Sequence, residues 1–308
     1  MRAIQFDEYG PPDVLTMVAL EPARLGEKDL RIRMLAAGVS PVDTKIRAGL
    51  LKAQLHITLP KIPGRDGVGI VEAIGTDVTR FSVGDTVCVI ADIVAGGTYA
   101  EMIVVTEDRA VHKPGPLSLH EAAALMQPGI SAWIPMVQVA NVRPGMKVLI
   151  HSGSGAVGSL MVQLAKHIGA EVTATCRAAN IDFVLGLGAK HVVAYDRDDF
   201  GKLRDQDVVF DLVGGATHAR SYPVLKKGGH LVWLMAEPII DRADEYDVRV
   251  TRALITDQQH VLRAVAGLAA LGVLRPNVSE VHPLAAAAAA HAALEQGHVT
   301  RGRLVLEI

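Results

Sequence analysis

One short run of glycines constrains the fold of this chain more than any other feature. Residues 153–158 follow the spacing G-x-G-x-x-G and come directly after the apolar run 147–151. Residues 157–169 have the apolar content of a helix and end at a glycine. A strand, a glycine turn and a helix in this order bind a dinucleotide, because the turn lets the backbone approach the pyrophosphate and the helix N-terminus attracts its charge. The predicted phosphate contacts are Gly153, Gly155, Ala156, Val157 and Gly158.

The segments after this turn alternate between short apolar runs and helical stretches. The predicted strands are 171–176, 191–195, 207–211 and 230–234. A helix is predicted at 257–271, the acid-rich residues 237–250 are expected to form a surface loop, and Ser118 and Glu121 fit a capping box at a helix start. Strands that alternate with helices form a doubly wound parallel sheet, so we predict a Rossmann domain over residues 119–272.

The rest of the chain predicts a second, β-rich domain. Apolar runs at 30–34, 67–71 and 85–90 are separated by glycines and prolines, and the final run 303–308 alternates as a strand does. The overall fold class predicted is α/β, with a β-rich domain formed by residues 1–118 and 273–308.

Composition excludes several classes of function. The 308 residues carry a net charge of −2, which gives no electrostatic reason to expect a nucleic-acid partner. Two cysteines, Cys88 and Cys176, are too few for a four-cysteine zinc site. The apolar runs are short and no secretory signal is apparent, so we expect a cytoplasmic protein without a membrane partner.

The end of the second predicted strand indicates which dinucleotide binds. NAD-binding units place an acid there to hold the ribose 2′-hydroxyl group. Here the strand ends in Cys176 and Arg177, and the nearby acid, Glu171, is at the opposite end. Because a guanidinium group pairs with a 2′-phosphate, we predict that Arg177 selects NADPH.

Several motifs lie in a fixed order along nearly the whole chain. They are AAGVSPVD (36–43), PGRDGVG (63–69), GDTV (84–87), GTYAE (97–101), SGSGAVG (152–158), LGA (187–189), DLVGG (211–215), KGG (227–229) and GRLVL (302–306). As a set they resemble the zinc-free quinone oxidoreductase branch of the medium-chain dehydrogenase/reductase superfamily. The resemblance implies a GroES-like catalytic domain from both chain ends, a nicotinamide-binding domain and a homodimer formed through the cofactor domains.

The same resemblance implies site residues by position. It places Ser40 near the nicotinamide and the substrate, and Ser131 at the cofactor helix. Further cofactor contacts that it implies are Arg177, Tyr195, Val213, Met235 and Arg303.

Zinc-dependent relatives have a cysteine where this chain has Ser40 and a histidine where it has Arg65. Serine and arginine are poor zinc ligands, so we predict no catalytic metal. Without zinc, nothing strongly polarises an alcohol for oxidation. We therefore expect reduction of an electrophile by NADPH, either a quinone or an α,β-unsaturated carbonyl compound.

The sequence also offers candidates for the proton donor and for polarising cations. Some enoyl-reducing relatives have a tyrosine where residues 50–52 read Leu-Leu-Lys, which disfavours enoyl-thioester reduction. Tyr99 is a candidate donor, although packing at a strand edge is the favoured explanation for this tyrosine. Lys45 and Arg65 are candidate polarising cations. The alternatives left open are an enoyl-thioester reductase and a non-catalytic NADPH-binding protein.

Overall fold

The computed structural model describes residues 1–234 and 239–308. Met235, a predicted cofactor contact, lies outside the described residues. The chain divides into two compact units. The first contains Met1–Gln127, Asp257–Val299 and Arg303–Ile308, and the second contains Pro128–Thr256 and Thr300–Gly302.

Strands and helices mostly alternate in the second unit, whereas consecutive strands dominate the first. The strands are β1 (Arg2–Gln5), β2 (Thr16–Ala19), β3 (Asp29–Gly38), β4 (Asp66–Ile74), β5 (Thr86–Ile90), β6 (Met102–Thr106), β7 (Ala110–His112), β8 (Lys147–Ile150), β9 (Glu171–Cys176), β10 (His191–Ala194), β11 (Gln206–Asp211), β12 (Leu225–Trp233), β13 (Arg249–Arg252), β14 (Val278–Pro283) and β15 (Arg303–Glu307). The helices are α1 (Pro41–Arg47), α2 (Leu119–Ala123), α3 (Met126–Trp133), α4 (Ala156–Ile168), α5 (Ile181–Leu187), α6 (Gly215–Ser221), α7 (Ala243–Tyr246), α8 (Gln259–Ala270) and α9 (Ala287–Glu295).

The first unit is built on β3, the longest strand. Its residues alternate between buried and more exposed positions, so Leu30, Ile32 and Met34 enter the core. β3 pairs antiparallel with β4, β6 and β15, while β14 adds to β15 in parallel. The strands predicted at 30–34, 67–71 and 85–90 are confirmed within β3, β4 and β5.

The second unit contains a six-stranded parallel sheet in the order β10-β9-β8-β11-β12-β13. The chain moves outward in one direction from β8 to β10 and then returns to place β11 on the other side of β8. Dinucleotides bind at the carboxyl ends of strands where the order reverses in this way. The predicted doubly wound sheet is therefore confirmed.

Two local predictions need correction. Residues 237–250 were expected to form a surface loop, but α7 lies within this range and β13 pairs in parallel with β12. β13 was missed because its sequence, RVTR, is half charged, yet Val250 packs against the sheet's core. The helix predicted at 257–271 is confirmed as α8, but it belongs to the first unit because Asp257 pairs there with Arg65 and Arg109.

Candidate functional site

The glycine turn has the close packing that a dinucleotide turn requires. The Gly153 N–H donates to the Thr175 carbonyl oxygen at 2.8 Å. A Cβ atom on Gly158 would lie 2.1 Å from the Ser152 carbonyl oxygen, and one on Gly153 would lie 2.7 Å from the Ala174 Cβ atom. Side chains at these two glycines would therefore force the turn and α4 away from the sheet.

The N-terminus of α4 is open to a negatively charged ligand. Gly155, which precedes this 13-residue helix, provides no side-chain oxygen to cap it. Ala156 and Val157 are only half-buried, so their N–H groups lie near the surface. Uncapped N–H groups and the helix dipole attract phosphate at this position.

A segment distant in sequence stabilises the turn. The Gly302 N–H donates to the Ser154 carbonyl oxygen at 2.8 Å, and the Ser154 Oγ donates to the Thr300 carbonyl oxygen at 2.8 Å. The Asn180 Nδ2 also donates to the Thr300 carbonyl oxygen, at 2.9 Å. Sequence reasoning missed these residues, because no local pattern indicates a contact across almost 150 residues.

Arg177 and Tyr195 lie side by side just beyond β9 and β10. The Arg177 Nε donates to the Tyr195 hydroxyl oxygen at 3.2 Å, and both side chains are exposed. The nearby Asp196 carboxylate accepts the Ala178 N–H at 2.9 Å. The structure thus brings together the two residues that the sequence placed at the adenosine phosphate.

The turn after β11 is organised by a buried carboxylate. The Asp211 Oδ1 accepts the N–H groups of Val213 and Gly214, each at 2.9 Å, and its Oδ2 lies 2.9 Å from the His218 Nδ1. These hydrogen bonds lower the pKa of Asp211 although burial opposes them, so the carboxylate stays ionised. Val213, a predicted cofactor contact, is half exposed at the surface of this turn.

Two further polar residues of the second unit are buried. Ser131, a predicted cofactor contact, lies in α3 with 3% of its surface exposed. His151, which sequence reasoning did not select, bridges the Thr175 and Ser221 hydroxyl groups at 3.2 and 3.0 Å. Burial lowers the pKa of His151 to about 4, so the ring is neutral and ties the ends of β8 and β9 together.

In the first unit, Ser40 and Tyr99 converge on one carboxylate. The Asp43 Oδ2 accepts the Ser40 N–H at 2.9 Å and the Tyr99 hydroxyl at 3.3 Å. The Ser40 Oγ lies 3.5 Å from the Gln127 Oε1. Tyr99 is fully buried, and its oxygen also lies 3.3 Å from the His291 Nε2.

Burial sets the ionisation of this cluster. Burial, reinforced by the charge of Asp66 and opposed by Arg303, raises the pKa of Asp43 to about 6. Burial and then the Asp43 charge raise the pKa of Tyr99 well above its ordinary value. Tyr99 therefore keeps its proton at neutral pH, while Asp43 can gain or lose one under mild conditions.

Arg303 forms a buried salt bridge with Asp66. Its two terminal nitrogens donate to the Asp66 oxygens at 2.8 and 2.6 Å, and its Nε donates to the Val39 carbonyl oxygen at 3.0 Å. Only 4% of the Arg303 side chain is exposed. This predicted cofactor contact therefore already joins β15 to β4 and to the residue before Ser40.

The remaining candidates are cations. The Arg65 Nη2 donates to the Asp257 Oδ1 at 2.7 Å, and its Nη1 donates to the Ala91 carbonyl oxygen. Lys45 lies half-buried on α1. Because Asp66 and Arg65 are both engaged in ion pairs, the segment that carries ligands in zinc-dependent relatives does not fit a metal ion here.

Residues 1–234 and 239–308 contain no cluster of three histidine, cysteine or acidic side chains arranged to hold a metal ion. Within the same residues, no helix combines the length and apolar character needed to cross a membrane.

Comparison with known proteins identifies the family. Residues 26–115 match the alcohol dehydrogenase GroES-like domain, and residues 187–306 match the zinc-binding dehydrogenase family. A quinone oxidoreductase from Pseudomonas aeruginosa is 31% identical over 99% of both chains. A tomato (Solanum lycopersicum) 2-methylene-furan-3-one reductase is 35% identical over 76% of this chain and 62% of its own.

Solved structures agree with this assignment. The Escherichia coli quinone oxidoreductase complexed with NADPH superposes with a TM-score of 0.91, at 27% identity over all of both chains. An NAD-dependent alcohol dehydrogenase superposes with a TM-score of 0.93, at 28% identity over all of both chains. The glycine turn, the two sheets and these similarities together show that the chain belongs to the zinc-free quinone oxidoreductase branch of the medium-chain dehydrogenase/reductase superfamily.

Proposed function

We propose that this protein is an NADPH-dependent reductase of quinones or α,β-unsaturated carbonyl compounds and that it works without a metal ion. The observation that carries the proposal is the glycine turn of the second unit, with its open α4 N-terminus and the Arg177–Tyr195 pair beyond the neighbouring strands. In this arrangement, the α4 N-terminus would bind the pyrophosphate of NADPH and Arg177 would bind its 2′-phosphate. When bound, NADPH supplies a hydride ion from its nicotinamide ring.

Two features of the second unit support NADPH as the cofactor. The turn 153–158 accommodates a pyrophosphate because side chains are absent where the backbone must come close. Arg177 presents a positive charge where a 2′-phosphate would lie, and the similar Escherichia coli enzyme binds NADPH. Because another similar structure is an NAD-dependent enzyme, NADH is the appropriate comparison in every binding test.

The substrate class follows from the residues that replace zinc ligands. Ser40 and the paired Arg65 do not bind zinc, so the enzyme lacks a strong Lewis acid for alcohol oxidation. A quinone or an enone is already electrophilic and needs mainly to be positioned and shielded from water. The names of the Pseudomonas and tomato relatives, a quinone oxidoreductase and a reductase of an enone, agree with this class.

Within the first unit, we propose that the Ser40 hydroxyl orients the substrate carbonyl and that Tyr99 takes part in proton supply. Lys45 and Arg65 are the candidate polarising cations, and Asp257 holds the guanidinium group of Arg65 in place. We further propose that Ser131, Val213 and Arg303 line the cofactor and that the enzyme is a cytoplasmic homodimer.

The test is oxidation of NADPH and NADH by the purified protein with a panel of quinones, enones, enals and acyl thioesters. We expect turnover with quinones or enones, preference for NADPH and no loss of activity after dialysis against a chelator. Tight NADPH binding without turnover would contradict the proposal in favour of a non-catalytic NADPH-binding protein, and preference for thioesters would favour an enoyl-thioester reductase.

A further inference from the structure

The charge of a buried arginine, Arg47, acts on a buried histidine, His291, that contacts Tyr99 in the first unit. Arg47 is the last residue of α1, and only 1% of its side chain is exposed. His291 and Glu295 lie four residues apart on α9, so they share one helix face, against which α1 packs. The Arg47 Nη2 donates to the Glu295 Oε1, and the Glu295 side chain is 35% exposed.

Three nitrogen atoms in this cluster are buried without a hydrogen-bond partner among the described residues. They are the Arg47 Nε, the Arg47 Nη1 and the His291 Nδ1. Buried polar groups in folded proteins are nearly always hydrogen-bonded, and ordered water is the usual partner where the protein offers none. Three such atoms on two residues that interact electrostatically therefore indicate a specific occupant rather than a random packing defect.

The hydrogen-bonding roles of these atoms are complementary. Tyr99 donates its one proton to Asp43, so its oxygen can only accept from His291, which fixes the proton of the neutral ring on Nε2. The ring is neutral because burial and then the charge of Arg47 lower the pKa of His291 to about 3. The His291 Nδ1 is thus an acceptor, whereas both unpaired Arg47 atoms are donors.

We propose that Arg47 and His291 hold one buried water molecule, and that this water, His291, Tyr99 and Asp43 form a proton relay that ends beside Ser40. The water accepts from Arg47 and donates to the His291 Nδ1, which satisfies atoms of both residues at once. Glu295, paired with Arg47 and partly exposed, marks where the relay reaches solvent.

The relay rests on the proposed function, because reduction of an enone consumes a proton. Bound NADPH would supply the hydride ion to the β-carbon of the substrate, and the enolate left on the substrate would need one proton. In the relay, Tyr99 passes its proton to Asp43, His291 passes its Nε2 proton to Tyr99, and the water gives a proton to the His291 Nδ1. Solvent restores the proton to the water, and protonated Asp43 supplies the proton that the enolate consumes. Tautomerisation of the His291 ring and rotation of the Tyr99 hydroxyl then restore the starting hydrogen bonds.

Quinone reduction provides an internal control. A reduced quinone is an oxygen anion that solvent can protonate, so it does not need the relay. We expect His291→Gln to lower kcat for enones by about 100-fold, the lower range for loss of a positioned proton-transfer group, while kcat for quinones changes less than about twofold. Tyr99→Phe tests the same path if His291→Gln folds poorly, and His298→Gln, a change at an exposed histidine just after α9, is the matched control.

The presence of the proposed water molecule can be tested without measuring enzyme activity. A high-resolution crystal structure should show one water within hydrogen-bond distance of the His291 Nδ1 and of the Arg47 Nε or Nη1, and Arg47→Met should abolish it. Absence of this water in the wild-type protein, or an equal fall in enone and quinone turnover in the folded variants, would overturn the relay. If the wild-type enzyme reduces quinones but not enones, the relay is refuted and the proposed function still stands. If it reduces neither, the proposed function is refuted, and the relay with it.

Discussion

Arg177→Ala offers the sharpest test of cofactor choice. The Arg177 Nε is hydrogen-bonded to the Tyr195 hydroxyl, so both terminal nitrogens can turn toward a 2′-phosphate. A hydrogen bond to a charged group contributes about 1.5–3 kcal/mol, and the exposure of Arg177 places the value near the lower end, because water screens the charge. At about 1.4 kcal/mol for each tenfold change, the dissociation constant for NADPH should rise roughly 10- to 30-fold.

NADH lacks the 2′-phosphate, so its dissociation constant should change less than about threefold in the same variant. Titration of the wild-type protein and the variant with both nucleotides, followed by intrinsic fluorescence or calorimetry, measures the two changes. Arg197→Ala, a change at an exposed arginine just beyond β10, should leave both constants unaltered. Equal losses for NADPH and NADH would refute the assignment of Arg177 to the 2′-phosphate.

Three further predictions concern stability and pH. Gly158→Ala should weaken NADPH binding and lower stability by at least about 1–3 kcal/mol, because the new methyl group would lie 2.1 Å from a carbonyl oxygen; unchanged thermal unfolding and affinity would contradict this. Asp66→Asn leaves Arg303 buried without its partner and should cost about 3–5 kcal/mol in denaturant unfolding, whereas the exposed Asp77→Asn should be neutral. The pKa of Asp43 is about 6 in the folded state and near 3.8 in the unfolded state. The raised pKa therefore contributes to the stability of the folded protein below pH 4, and this contribution is lost as the pH rises through 6. The stability of Asp43→Asn relative to the wild-type protein should therefore increase as the pH rises from 4 to 6. A difference in unfolding free energy between the two proteins that stays constant with pH would contradict the raised pKa of Asp43.

Features of the molecule that depend on neighbouring residues could be predicted from sequence. The parallel strands, the Gly169 end of α4 and the capping box at Ser118 and Glu121 each arise within a few residues, and the structure confirms them. The position of Arg177 at the end of β9 also follows from strand length alone.

Features that depend on distant residues could not be predicted. The Arg303–Asp66 salt bridge joins positions 237 residues apart, and each residue alone looks like an ordinary surface charge. The Asp43–Tyr99–His291 cluster likewise combines three segments, and nothing in the alanine-rich sequence of α9 indicates that its histidine is buried against a tyrosine. β13 escaped prediction because its stability comes from pairing with β12 rather than from its own composition.

The hydrogen bond between Gly302 and Ser154 has a consequence for synthesis on the ribosome. The glycine turn is translated near the middle of the chain, yet the segment that completes its hydrogen bonding is translated almost 150 residues later. The first unit also depends on late residues, because its strand β3 pairs with β15 near residue 305. The six strands of the second unit have all been translated once Arg252 has been added. Its glycine turn gains its last hydrogen bonds, and the sheet of the first unit its last strand, only after residues 300–307 have emerged, so neither unit can reach its final structure early in translation.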